Sequence, residues 1–355
     1  MILWETKRQR AHHRDASGTH AASTLRVGER KHRGWYRWAI GLVAVGALVL
    51  VGRNHAEPKE IARVVANAEP AFLLLAAALQ LATYPCIALI WTIAIRRSGE
   101  HAPPFWKLMR LSVAELFTDQ SLPSGGMSGT VLVVASLKKR GVEPRGAMAA
   151  VIASLAGFYV AQLAAVLAAV AVLLASHRFG GWEATVSVIA LVAAVLMPLP
   201  LALSLGGAIA KLPARVRRVR AVAEVCEHMQ DAPKDVIFSA PVFASAIALR
   251  LAVLVLDGAT LAVALVAIGS PLLLVHAEAA YVLAYVVGSA SFLPGGLGPF
   301  EVASTTLLAR LGAPLFAAAP ATLLMRGLSF WLPMIPGAWF ARQEVRPWRR
   351  NPSTA

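Results

Sequence analysis

Glu115 and Asp119 stand four residues apart in an amphipathic stretch, Phe105–Leu122, which also carries Lys107 and Arg110. On a helix that spacing puts both carboxylates on one face. Such a pair suits acid/base work, or the polar wall of a water-filled cavity. Arg250 and Asp257 are seven residues apart in a long apolar run, so they share a helix face about two turns apart. Arg326 lies in the middle of another apolar run. An arginine at a bilayer centre costs roughly 2.5–3.5 kcal/mol even on the lower scales, so each of these should face a partner or water. Two readings stand for them. One is a structural ion pair between helices, with Asp257 as partner of Arg326 or Arg250. The other is the handling of a charged headgroup or a proton. Glu301 also reads in two ways, as a first-turn carboxylate that satisfies helix N–H groups or as a cavity carboxylate.

These residues sit around a feature that occurs twice. Ser121-Leu122-Pro123-Ser124-Gly125-Gly126-Met127-Ser128-Gly129 is matched, 170 residues later, by Ser291-Phe292-Leu293-Pro294-Gly295-Gly296-Leu297-Gly298-Pro299. The register continues without a gap through Leu137/Leu307, Arg140/Arg310, Pro144/Pro314 and Gly157/Gly327. A Pro/Gly break inside hydrophobic sequence, present once per half, is the pattern of a transporter-like site built from discontinuous helices. Gly125, Gly126, Gly295 and Gly296 are therefore candidate site residues. Val131 stands where the second copy has Glu301, so the first copy lacks that acid.

The elements that must hold these breaks follow from composition. The 355-residue chain is 57% hydrophobic and 15% charged, against about 25% charged in soluble domains, with a mean hydropathy of +0.63. Apolar runs at about 36–52, 70–95, 147–176, 183–204, 236–268 and 313–341 reach the roughly 20 residues that cross a bilayer. Two further segments are too short and are broken at Pro123 and Pro294. The expected fold is an all-α polytopic bundle of six full spans plus two re-entrant helical hairpins.

Charge supplies the orientation. The net charge of +15 reflects basic loops of one side rather than nucleic-acid binding. Basic clusters fall before Arg37, between Arg96 and Arg110, between Lys138 and Arg145, between Lys211 and Lys234, and after the last span. That leaves Arg53, Lys59, Arg63, Arg178 and Arg310 for the other face. Both termini are then cytoplasmic, and the two hairpins enter from opposite sides. The halves, about 36–176 and 183–341, form an inverted-topology repeat within a domain at 35–345. A basic tail at 1–34 reads as disordered, and a short tail follows at 346–355.

Other chemistry is thinly represented. Cys86 and Cys226 have no metal-ligand spacing, and no P-loop, nucleophile elbow or zinc signature is found. No cofactor or metal is expected.

The stretch Leu293–Glu301, with Arg326 in the following span, resembles the second signature of the lysylphosphatidylglycerol synthase transmembrane (flippase-like domain) family. Pro123–Gly129, followed by Lys138-Lys139-Arg140-Gly141, is similar to its first, where Thr130-Val131 replace the usual acidic residue. The resemblance covers about 36–345. It implies a bacterial inner-membrane protein that moves or accommodates lipids, with anionic headgroups among its ligands. As a stand-alone member without the cytosolic synthase domain, it is not expected to transfer aminoacyl groups. The substrates it suggests are an anionic phospholipid, a hopanoid or a polyprenyl-linked glycolipid. A membrane-embedded enzyme, or a non-catalytic partner of a lipid-modifying enzyme encoded separately, remains the alternative.

Overall fold

The computed structural model describes residues 67–121, 127–176, 180–205, 233–291 and 293–345. All regular structure among them is helical. The tail at 1–34, the run at 36–52, the basic loop after Lys211, and Gly125 and Gly126 lie outside these residues.

The first span is α1 (Pro70–Leu81) continued by α2 (Thr83–Arg97). The step at Ala82 precedes Pro85, which lacks an N–H and whose ring crowds the preceding turn. Next come α3 (Phe105–Ser121) and α4 (Met127–Lys139), the long α5 (Pro144–Ala175), then α6 (Gly181–Leu196) and α7 (Leu199–Leu205), separated beside Pro198. The second half has a single turn, α8 (Lys234–Ile237), the long α9 (Ala240–Ala267), α10 (Leu274–Ala290), a 3-10 turn at Pro294–Gly296, and α11 (Pro299–Leu311). It closes with α12 (Leu315–Arg326), a π turn at Gly327–Trp331, and α13 (Leu332–Val345). Proline opens α1, α5 and α11, where its missing N–H costs nothing.

Five helical stretches are long and apolar enough to cross a membrane: Pro70–Arg97, Pro144–Ala175, Ala184–Leu203, Ala240–Ala267 and Leu315–Val345. They match five of the six expected spans, and the sixth falls outside the described residues. This is a multi-pass membrane protein. Large exposed apolar side chains such as Leu74, Leu167, Val195 and Ile335 are what a lipid-facing surface requires.

α3 and α4 fold back on each other, as do α10 and α11. The Ser128 hydroxyl donates to the Thr118 carbonyl at 3.1 Å, and Tyr281 meets Phe300 edge-on at 6.1 Å. Side-chain links gather the basic ends. Arg140 makes a two-pronged contact with Glu344, Arg145 pairs with Asp235 at 2.9 Å, and Arg110 donates to Gln343. The Arg110 guanidinium also lies over Trp106, Trp339 and Phe340, an arrangement suited to a membrane–water interface. Those links join the open end of the α3–α4 hairpin to the end of α13, and the start of α5 to α8. At the other end, the Glu69 N–H donates to the Ala267 carbonyl at 2.8 Å, joining the start of α1 to the end of α9. Between the ends, α3 touches the Pro294–Gly296 turn, so the tip of the second hairpin reaches the first.

α5 and α9 cross where Gly157 has no side chain. A Cβ there would lie 2.7 Å from the Ala246 backbone. Gly157→Val should therefore lose about 1–3 kcal/mol of stability through overpacking. Gly180→Ala, which points into open space, should be nearly neutral. Thermal unfolding of both variants in detergent micelles checks the contrast.

Candidate functional site

The second break is held by one buried carboxylate. Glu301 sits in the first turn of α11, and its Oε2 accepts the Gly298 N–H at 2.7 Å. Its Oε1 accepts the Arg326 Nε–H at 2.7 Å. Arg326 also donates from Nη2 to the Gly295 carbonyl at 2.6 Å. The guanidinium lies between two rings, 4.8 Å from the Phe300 centroid and 4.7 Å from that of Phe330. Both charged side chains are at most 10% exposed. One donor and one acceptor freed by the non-helical turn are thus satisfied by the same ion pair.

Glycine is required at this turn for two reasons. Gly295 and Gly296 have φ of +58° and +66°, where a side chain is strained. A Cβ on Gly295 would also run into the Phe330 ring, and one on Gly296 would lie 2.9 Å from the Gly288 backbone. Glu301 thus caps its helix with one oxygen and pairs a basic group with the other. Arg326 finds Glu301 rather than Asp257.

The first break uses a different acid. The Asp119 Oδ1 accepts the Gly129 N–H of α4 at 2.7 Å and faces the Ser128 hydroxyl at 3.4 Å. Val131 is 58% exposed and takes no part. The first copy has therefore not lost its capping carboxylate; the residue comes from the helix before the break instead of the one after it. At each helix start, an N–H that would suit an anion already serves a protein carboxylate.

Arg250 occupies the space between the hairpins. Its Nε donates to the Ser154 carbonyl at 3.2 Å and its Nη2 to the Ser154 hydroxyl at 2.6 Å, and it lies over the Phe158 ring. Glu115 and Asp119 on α3 and Tyr285 on α10 interact with its charge. Among the described residues, neither carboxylate comes within ion-pair distance of it, and Nη1 has no hydrogen-bond partner. Glu115 and Asp119 both lie on α3, four residues apart.

Asp257 pairs with neither arginine. Its Oδ1 accepts from Gln80 Nε2 at 3.0 Å, and its Oδ2 from the Tyr281 hydroxyl at 2.8 Å. Arg250 is drawn instead toward α3 and α5. The shared helix face was legible, but seven residues separate the two groups by about 10 Å along the axis, too far for contact. Gln80, Tyr281, Tyr285 and Ser154 escaped the sequence reading because single neutral polar residues inside apolar helices carry no spacing signal. Among the described residues no group of three or more His, Cys, Asp or Glu side chains could hold a metal.

Breaking the Glu301–Arg326 pair from one side should destabilise strongly. Glu301→Gln or Arg326→Met each leaves a buried partner uncompensated, a loss of about 3–5 kcal/mol. The double variant should lose less than the sum of the two, because no lone charge remains. Unfolding midpoints of the four proteins in one detergent close that cycle; additive losses would contradict the geometry.

No curated protein matches the chain. The family model described as the lysylphosphatidylglycerol synthase TM region matches residues 38–337, which include both hairpins, Arg250 and the Glu301–Arg326 pair. With most of its length inside that match, the chain belongs to the lysylphosphatidylglycerol synthase transmembrane family.

Proposed function

We propose that this protein carries lipids with anionic headgroups between the leaflets of a bacterial inner membrane, through the space where its two helical hairpins meet. The observation that carries the reading is Arg250. It is a cation inside the bundle, anchored through Ser154, near two carboxylates but bound to neither, with Nη1 left to face a headgroup oxygen. Arg326, by contrast, is held by a carboxylate at ion-pair distance, 2.7 Å from Glu301. An arginine that binds and releases a phosphate needs a partner that competes weakly, and Glu115 and Asp119 at longer range fill that part.

The two hairpins are re-entrant in this proposal, one from the cytoplasmic face and one from the outer face. The 170-residue offset supports it, because it pairs Glu115 with Tyr285 and Gln80 with Arg250. Four of the polar groups around Arg250 and Asp257 thus form two matched pairs, while Asp257 and Tyr281 match the apolar Ile87 and Leu111. The basic residues gathered at the Arg140–Glu344 end support a cytoplasmic assignment for that end. The family membership points to lipids. The choice among phospholipid, hopanoid and polyprenyl glycolipid rests on the headgroup charge that Arg250 prefers.

The test is reconstitution into vesicles with labelled anionic and zwitterionic lipids. Wild type should accelerate exchange of the anionic lipid between leaflets. Arg250→Gln should slow it about tenfold or more with an unchanged unfolding midpoint, and Arg250→Lys should keep part of the rate. Folded protein that moves no lipid, or that modifies the lipid covalently, would exclude the proposal. Single cysteines in place of Lys138 and Arg310 should be labelled from opposite sides of the membrane; same-side labelling would exclude the inverted repeat.

A further inference from the structure

We infer that Glu278, with Gln80, Asp257 and Tyr281, forms a proton-binding site that couples translocation to a pH gradient. Glu278 lies in the second turn of α10, four residues from the helix start. Its Oε2 is buried with no hydrogen-bond partner. The carboxylate occupies the space left by the missing side chain of Gly258 on α9, and a Cβ there would collide with it. One residue before Gly258 is Asp257, whose charge acts on Glu278.

Gln80 supplies the independent pointer to a ligand. Its side chain is aimed into the cluster, with Nε2 on Asp257, and it is only 6% exposed. Its Oε1 is buried with no partner. Two acceptor atoms are therefore left without donors around two carboxylates. Of the described ionisable groups on the helices packed against α10 (Arg145 and Tyr159 on α5, Arg250 and Asp257 on α9, Glu301 and Arg310 on α11), only Asp257 acts on Glu278, and Tyr281 does so from α10 itself. No cation compensates the pair. A buried carboxylate in that position is relieved by taking up a proton.

The proton comes from water at the α10 end of the bundle and converts the Glu278 carboxylate to a neutral carboxyl. That removes its repulsion with Asp257 across the α9–α10 contact. The chain of interacting groups continues inward. From Tyr281, which holds Asp257, ring contacts run to Tyr285 at 6.0 Å and on to Phe158 at 6.2 Å, and the Arg250 guanidinium lies over Phe158. A rearrangement around Asp257 and Tyr281 on protonation of Glu278 is passed along these packed rings to the arginine assigned to the headgroup. The coupling, though not the proton site itself, rests on the translocation reading.

Infrared difference spectra of the full chain in lipid vesicles, recorded as bulk pH is stepped, test the site without reference to transport. A protonated-carboxyl band should titrate, vanish in Glu278→Gln, and shift in Gly258→Ala, whose methyl displaces the carboxylate. Absence of the band, its persistence in Glu278→Gln, or its dependence on sodium rather than pH would overturn the proton site. In vesicles with an imposed pH gradient, wild-type lipid exchange should change about tenfold, within the usual range for coupled sites. Glu278→Gln should keep its gradient-free rate and lose the response; a retained response would overturn the coupling. If no lipid moves in any vesicle, the translocation reading and the coupling fall together, and the infrared result alone decides the proton site.

Discussion

Backbone that leaves the helix inside a bilayer has no water to bond with, so each freed N–H and C=O must find a partner within the protein. The rest of this bundle depends on that constraint. At the second break the whole burden falls on Glu301 and Arg326, which satisfy the Gly298 N–H and the Gly295 carbonyl while neutralising one another. Phe300 and Phe330 close the pair from two sides and exclude other partners. A charge pair so held secures the shape of a turn.

The two breaks meet one physical demand in different ways. Glu301 caps its own helix from the third position, while Asp119 reaches across the hairpin to cap the next one. The second solution leaves no arginine bound to the capping carboxylate. The charge of Asp119 stays available to Arg250, which Tyr285 of the second hairpin also approaches.

Most of the helical framework was legible in the sequence. Apolar run length marked the spans, and Pro294 and Pro198 marked where helices stop. The importance of Arg326, Glu301 and Arg250 was also legible, since charge in an apolar run is costly wherever it sits. Their pairing was not. Arg326 meets a residue 25 positions earlier, and Asp257 meets Gln80 at a separation of 177; both are set by which helices pack together. Glu278 was missed because one acid near a helix start looks solvated. The glycine that makes room for it, Gly258, lies on another helix and reads as an ordinary small residue.

The last span touches both hairpins. Its first part, α12, holds the tip of the α10–α11 hairpin through Arg326. Its second part, α13, packs on α3, where Gly337 lies against Val113 and Phe117, and it binds the end of α4 through Glu344. Between the two attachments lies the π turn at Gly327–Trp331. The last helix is thus a single crossbar with a joint in its middle, and the hairpins are the two arms fixed to it. A tilt of either arm that keeps its attachment must bend those five residues or pull on the other arm.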